Sequence, residues 1–449
     1  MYVWGDEAWF ASPALNLVQK GVMGTTILES KGSWMEGLDR YTYWVLPLHI
    51  LFQALWYKLF GFSLLVLRSL SIFWGAVTVL AWYLIAVRVS GDRKVGLLAA
   101  GLIARDSHFI QVSALGRMDM LCAGLGSASL AVFWLLRERG LDRAILASHT
   151  LAAASCLTHP AGVLYFGALV LITLYEDRTR IWLRETALAA TPYLIALGAW
   201  GLYVLQSPAL FWSQFTGNIS GITSEFTEFD RLSGLRHPLA ALFRERIRYL
   251  AAFKWYVARD TLDRCQISIL LVYTLGVAAA LCSRSIRRHP GYRLLMLIGS
   301  LYFLVLAEFE GQKLGPYLVH TLPLCATLTA AVSVHFWSAG GVARRVTVLI
   351  LTALICLQIG YNLRDDNVTR DQLDALDFLK RHATPASQIV GGAELAFDLG
   401  FDSILIDDPK LGFYSRKRPD FIAANRVYYA GGPGRRRDTR RFMHTSSGC

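Results

Sequence analysis

Apolar runs of membrane-spanning length recur along the chain, with short polar stretches between them. The runs at 63–88, 95–114, 119–136, 144–158, 161–175, 186–205, 266–283, 294–308, 317–338 and 346–362 each read as a transmembrane helix, giving about ten spans. The segment YTYWVLPLHILFQALWYKLFG (41–61) is aromatic and amphipathic, holds Pro47, and predicts one or two helices lying at the membrane interface. After Arg364 the pattern changes again. TRDQLDALDFLKRHATPASQIVGG predicts a helix, a turn and a short strand, and SILID (403–407) and FIAANRVYY (421–429) predict further strands. The expected architecture is a polytopic α-helical membrane domain over 1–362, a small α/β domain over 363–430, and a basic, disordered tail over 431–449.

The loops supply an orientation. If the chain begins outside the cytoplasm and alternates, the inner loops are 88–94, 137–143, 176–185, 283–293 and 339–345, which together hold 15 Lys and Arg against 6 acids. Basic residues are retained on the cytoplasmic side, so five basic loops on alternate turns fit this arrangement. The formal net charge of +12 is thereby placed without nucleic acid, for which no motif appears. Hydrophobic residues make up 54% of the chain and charged residues 17%, which with the recurring apolar runs excludes an ordinary soluble enzyme; no signal peptide is recognisable. The seven cysteines are scattered without a CxxC pair, and five lie well inside apolar runs, so neither a disulfide nor a structural metal is expected.

The opposite face collects residue types that a bare helix bundle does not need. The segments are 1–42, 113–121, 157–162, the long loop 206–264, 308–317 and everything after 362, which makes the small α/β domain extracytoplasmic. Asp6 and Glu7 sit between Trp4, Trp9 and Phe10. A loop carboxylate is ordinarily just solvated, but burial at an interface suits one to general-base work or to pairing with a cation. In Gly116-Arg117-Met118-Asp119 the bland reading is a salt bridge at a helix end. The sharper one has Arg117 reaching an anion and Asp119 orienting it. His159, in a Thr-His-Pro break, either satisfies freed backbone groups or serves a site. Glu310, Lys313 and Tyr317 end the last polar loop. Lys313 either snorkels to headgroups or, with Tyr317, binds a phosphate. Within 206–264, PLAALFRERIRYLAAFKWYVARD reads as an amphipathic surface helix, a lid or anchor with lipid headgroups as a further contact. Taken together, an acid pair, an Arg/Asp pair, a His and a Lys/Tyr pair on one rim can displace a phosphate leaving group from a sugar.

In their order, these motifs resemble the GT-C membrane glycosyltransferases, in the group that includes protein O-mannosyltransferases (glycosyltransferase family 39), the aminoarabinose transferase of lipid A and the RgtA-to-RgtD-like enzymes. GDEAWF matches the first-loop acidic motif, and YWVLPLHILFQALWYKLFG with LLVLRSLSIFWG matches the juxtamembrane region and an Arg-bearing span. GRMDML, LTHPAG and GQKLGPYLVHTLPL match later outer-face motifs, so the resemblance covers roughly residues 1–335. It implies a GT-C fold, a polyprenyl-phosphate sugar donor, a lipid, glycan or protein hydroxyl as acceptor, and inverting transfer outside the cytoplasm, in a bacterial inner membrane with the site on its periplasmic or outer face. It also implies Asp6 as base or acceptor-holding acid, Glu7 as its support, and Arg117, Lys313, Tyr317 and, more weakly, Arg68 facing the donor phosphate. Asp119, His159 and Glu310 would support them. Some members carry a metal near the acidic motif, so a divalent ion at Asp6, Glu7 and His159 stays open, with no other cofactor implied.

Two departures limit the resemblance. Family members have a transmembrane helix before the acidic motif, whereas Met1 to Gly5 alone precede it here, so a first helix is expected to be missing from the sequence. The stretch ESKGSWMEGLDR (29–40) also lacks the family's Lys-Pro-Pro pattern. The competing class is a multi-pass transporter or lipid flippase, which would place ionisable groups near the midplane in two related halves. Arg105-Asp106 is the main such candidate, either a buried pair or the turn of a broken helix. A third reading is a non-catalytic assembly or polymer-export subunit.

Overall fold

The computed structural model describes residues 3–220, 233–254, 261–363, 369–401, 404–408, 411–412 and 416–423. The expected tail at 431–449 and most of the last expected strand fall outside them. The chain opens with a helix where a polar loop is expected: α1 (Gly5–Lys20). Asp6 and Glu7 occupy its first turn, favoured by the positive end of the helix dipole, and Glu7 bonds back to the Trp4 amide at 3.0 Å. Gly21, at φ 74°, ends the helix in the left-handed conformation that glycine adopts without penalty. Helix α2 (Pro47–Phe60) falls in the segment expected to form one or two interfacial helices, with Pro47 at its first position, where a missing N–H costs nothing.

The membrane domain continues through α3 (Leu64–Ser90), α4 (Arg93–Arg105), α5 (Ser107–Ser113), α6 (Met118–Arg137), α7 (Leu141–Thr158), α8 (Val163–Asp177), α9 (Leu183–Val204) and α10 (Pro208–Ser220). It resumes with α11 (Ser233–Arg236), α12 (Pro238–Ala252), α13 (Thr261–Cys282), α14 (Arg284–Arg288), α15 (Pro290–Phe309), α16 (Leu322–Ala339) and α17 (Gly341–Asn362). Among the described residues 8 helices are long and apolar enough to cross a membrane, not the ten expected. The run at 95–114 is two short helices, α4 and α5, broken at Asp106. That carboxylate caps α5 through Phe109 N at 2.9 Å and accepts from Tyr273 at 3.2 Å. Arg105 points away and is exposed, so the pair is the turn of a broken helix. The run at 144–158 is α7, 18 residues whose Ser148, His149 and Thr150 dilute its apolar character.

Helix α6 is the hub. It packs on α3 and α7, and 78% of its apolar window is buried inside the protein, against 6% for α9, which faces outward. The residues at its start are therefore held by protein on several sides.

The C-terminal sheet region comprises α18 (Thr369–His382), α19 (Ala396–Leu399) and three short parallel strands, β1 (Ile389–Gly391), β2 (Leu405–Ile406) and β3 (Phe421–Ala423), in the order β2-β1-β3. The first segment of the chain extends this sheet. Leu28 bridges Asp407 in parallel, with Asp407 N donating to Ile27 O at 2.8 Å and Glu29 N to Asp407 O at 2.9 Å. Ala8 of α1 and Ile27 share one apolar core with Leu379, Ile389, Leu395 and Leu405. Trp9 Nε1 also donates to the Asp407 carboxylate at 2.9 Å.

Candidate active site

The two adjacent acids at the start of α1 have separate fates. Glu7 is fully buried, and both its oxygens are occupied. Arg68 of α3 donates Nε at 2.9 Å and a terminal nitrogen at 2.8 Å, Gly116 N donates at 2.8 Å, and Trp4 N completes the set. Four bonds fill a carboxylate's acceptor sites, so Glu7 and Arg68 pin α1 to α3 and to the turn before α6. Gly116 belongs there because a Cβ would stand 2.3 Å from the Leu67 side chain.

Asp6 is 32% exposed and accepts from a terminal nitrogen of Arg117. Arg117 is buried and also donates Nε to Asp119 Oδ2 at 2.9 Å, with Asp119 fully enclosed in the first turn of α6. Burial works against the Arg117 charge, yet Asp119 more than offsets it and raises the group above its ordinary value. Asp6, Arg117 and Asp119 thus form a line that runs from solvent into the protein.

Around Asp119 lies a ring of buried imidazoles, within electrostatic reach of one another and of its carboxylate: His49 of α2, His159, and His320. His159 satisfies freed backbone, one of the two readings of its sequence, and also faces Tyr317. Its Nδ1 accepts from Ala161 N at 3.1 Å, capping the turn at Pro160–Gly162, and this leaves Nε2 to donate to the Tyr317 hydroxyl at 3.2 Å. Burial pushes His49 down to about 4, so its ring is neutral near pH 7.

Lys313 and Glu310 lie in a second ion cluster. Lys313 Nζ, buried, donates to Ala307 O at 2.5 Å and meets Glu245 of α12 at 3.1 Å. Arg248, fully buried, donates Nε to Glu245 at 2.5 Å and a terminal nitrogen to Glu310 at 3.0 Å. Its guanidinium lies 5.8 Å from the centre of the Tyr317 ring, which joins this cluster to His159 and Asp119. Burial lowers Lys313 below the ordinary range for lysine, with Glu245 opposing the shift. An apolar cavity of about 190 Å³ opens beside the cluster between α12, α13 and α16, lined by Tyr249, Phe253, Tyr273, Leu322 and Cys325.

Of the residues read from sequence, Asp6, Arg117, Asp119, His159 and Tyr317 are brought together, and Glu310 and Lys313 adjoin them. Arg68 is paired with Glu7. No group of three His, Cys, Asp or Glu side chains is placed to hold a metal among the described residues, so the grouping of Asp6, Glu7 and His159 does not form. Glu7 has no acceptor site left for an ion. Glu245, Arg248, His49, Gln53 and His320 escaped the sequence reading. The Glu245/Arg248 spacing of three residues, and histidines inside apolar stretches, were the available signals.

Three comparisons bear on this arrangement. The pattern of the dolichyl-phosphate-mannose-protein mannosyltransferase family matches residues 46–212. No curated protein matches the chain. Among solved structures, ArnT from Cupriavidus metallidurans in the apo state is similar with a TM-score of 0.59 and 15% identity over 95% of this chain and 82% of that one. The same protein bound to undecaprenyl phosphate gives 0.55 and 13% over 95% and 83%. The Archaeoglobus fulgidus oligosaccharyltransferase tethered to an acceptor peptide containing the NVT sequon gives 0.55 and 13% over 94% and 60%.

Proposed function

We propose that this chain is a GT-C membrane glycosyltransferase of the PMT/ArnT superfamily and moves a sugar from a polyprenyl-phosphate carrier to a hydroxyl of a lipid, glycan or protein. The observation that carries the reading is Asp6, a partly exposed carboxylate held by a buried guanidinium on this fold. Undecaprenyl phosphate bound to ArnT supports the choice of donor, and the acceptor peptide on the oligosaccharyltransferase supports a polymeric acceptor as one option.

Asp6 takes the proton of the acceptor hydroxyl while that oxygen bonds to the anomeric carbon. The bond from that carbon to the phosphate oxygen breaks on the opposite face, its electron pair stays on the phosphate, and configuration inverts. Arg117 holds Asp6 in its ionised form and aims it. Arg248, Lys313 and the Tyr317 hydroxyl take up charge on the departing phosphate, once Glu245 and Glu310 yield part of their hold. The apolar cavity beside Arg248 takes the first isoprene units. The reaction runs on the periplasmic or outer face of a bacterial inner membrane, a reading supported by the excess of Arg and Lys in the loops expected on the cytoplasmic side.

Asp6→Asn is the test. In proteoliposomes supplied with undecaprenyl-phosphate sugars, it lowers transfer by about 10²–10⁴-fold at unchanged expression. Undiminished transfer by the variant would sink the mechanism, and movement of the lipid across the bilayer without transfer would favour a flippase.

A further inference from the structure

Four neighbouring buried polar atoms have no hydrogen-bond partner: His49 Nδ1, Gln53 Oε1, Asp119 Oδ1 and His320 Nε2. Their residues are between 0% and 2% exposed. They come from α2, the first turn of α6 and the turn Gly315–His320. His49 and Gln53 bond to each other at 2.8 Å, and His49 and His320 both lie within electrostatic reach of Asp119. One such orphaned atom costs about 1–3 kcal/mol, so four together call for a polar partner, a ligand group or ordered water.

The hydrogen bonds already made define the ligand's chemistry. Gln53 Nε2 donates to Gly116 O at 3.3 Å and to His49 Nε2 at 2.8 Å. His49 Nε2 is therefore an acceptor, and the neutral ring carries its proton on Nδ1. That leaves Nδ1 of His49 as a donor, with Gln53 Oε1 and Asp119 Oδ1 as acceptors. His320 has its other nitrogen on the Tyr165 hydroxyl at 2.9 Å, so Nε2 takes whichever role that bond leaves. A phosphate, which only accepts, is repelled by the two acceptor oxygens. A metal is not served by this set, since no metal-holding group exists among the described residues. A hydroxyl both donates and accepts and fits every position. The site also lies one guanidinium from Asp6, because Arg117 holds Asp119 by Nε and Asp6 by a terminal nitrogen.

We propose that His49, Gln53, Asp119 and His320 form the subsite that binds the hydroxyls of the transferred sugar, an inference that rests on the donor reading above. The subsite makes the enzyme discriminate between a glycosylated carrier and a bare one.

The full-length protein in nanodiscs is titrated with undecaprenyl phosphate and with its glucosyl, mannosyl, galactosyl and arabinosyl derivatives. The wild type binds at least one glycosyl lipid more tightly than the bare lipid. His49→Phe and His320→Phe each weaken binding of that glycosyl lipid about tenfold, while binding of the bare lipid moves less than about twofold. Loss of both lipids to the same degree, no loss of either, or a wild type indifferent to the sugar overturns the subsite and leaves the donor reading standing. A wild type that binds neither bare nor glycosylated lipid overturns the donor reading and this inference with it.

Discussion

Arg117 and Arg248 are both buried guanidiniums, each between two carboxylates, yet their surroundings differ. Among the described residues Arg117 alone forms an ion pair with both Asp6 and Asp119, and one of those acids is 32% exposed. Arg248 pairs with Glu245 and Glu310, Lys313 shares Glu245 with it, and no side chain in that group is more than 10% exposed. The first cluster has one negative charge in excess and a path to solvent. The second balances two cations against two acids and is closed. An excess carboxylate that reaches solvent can accept a proton from an incoming hydroxyl. A balanced, enclosed quartet gains nothing from an added anion until one of its own acids is displaced. The difference separates the end that performs base chemistry from the end that must open to receive a phosphate.

The sharpest way to break this comparison is to remove Arg117. Arg117→Met leaves Asp119 as an uncompensated charge inside the protein, and breaking a buried pair costs about 3–5 kcal/mol. The thermal unfolding midpoint of the detergent-solubilised protein falls accordingly, and sugar transfer is lost because Asp6 loses its holder. A variant as stable and as active as the wild type would mean that the line from Asp6 to Asp119 has no role.

The second cluster responds in the opposite sense for binding. Glu245→Gln keeps the shape of the side chain but takes one negative charge from beside Arg248 and Lys313. Stability falls by about 2–4 kcal/mol, less than for Arg117 because Glu310 still faces Arg248 at 3.0 Å. The freed cations hold bare undecaprenyl phosphate about fivefold more tightly in an equilibrium titration. Weaker lipid binding in the variant would place the phosphate away from this cluster.

The sequence disclosed these two ends unequally, for physical reasons. The spans were legible because lipid demands long apolar runs, and the exceptions fell where a polar residue does local work, as Asp106 does in breaking the run at 95–114. Asp6, Arg117 and Asp119 stood out as ionisable residues at the margins of apolar segments. That Glu7 is structural was not legible, since nothing local distinguishes it from Asp6. Its role follows from Arg68 and Gly116, 61 and 109 residues away. Glu245 and Arg248 resembled a charged face on a surface helix. Only packing of α12 against α15 and the Gly315–His320 turn shows that this face points inward.

The contact between the first helix and the C-terminal sheet region was likewise hidden, because Trp9 and Asp407 are 398 residues apart. It extends the comparison to the open end of the site. Trp9 lies one turn after Asp6 on α1, and its indole donates to Asp407, which also accepts from Ala393 N at 3.3 Å. Trp9→Phe removes one hydrogen bond while keeping an aromatic ring against Trp44. The expected loss is about 1 kcal/mol, seen as a small drop in unfolding midpoint. If the C-terminal sheet region steadies Asp6 through this bond, the turnover number falls by a few-fold while the Michaelis constant for donor is unchanged, because the donor subsite and the phosphate cluster are untouched. Asp407→Asn should do the same, since its amide oxygen still accepts from the indole but more weakly than a carboxylate. A drop in stability with turnover intact would make the contact a fold-level brace alone, and would confine the positioning of Asp6 to Arg117.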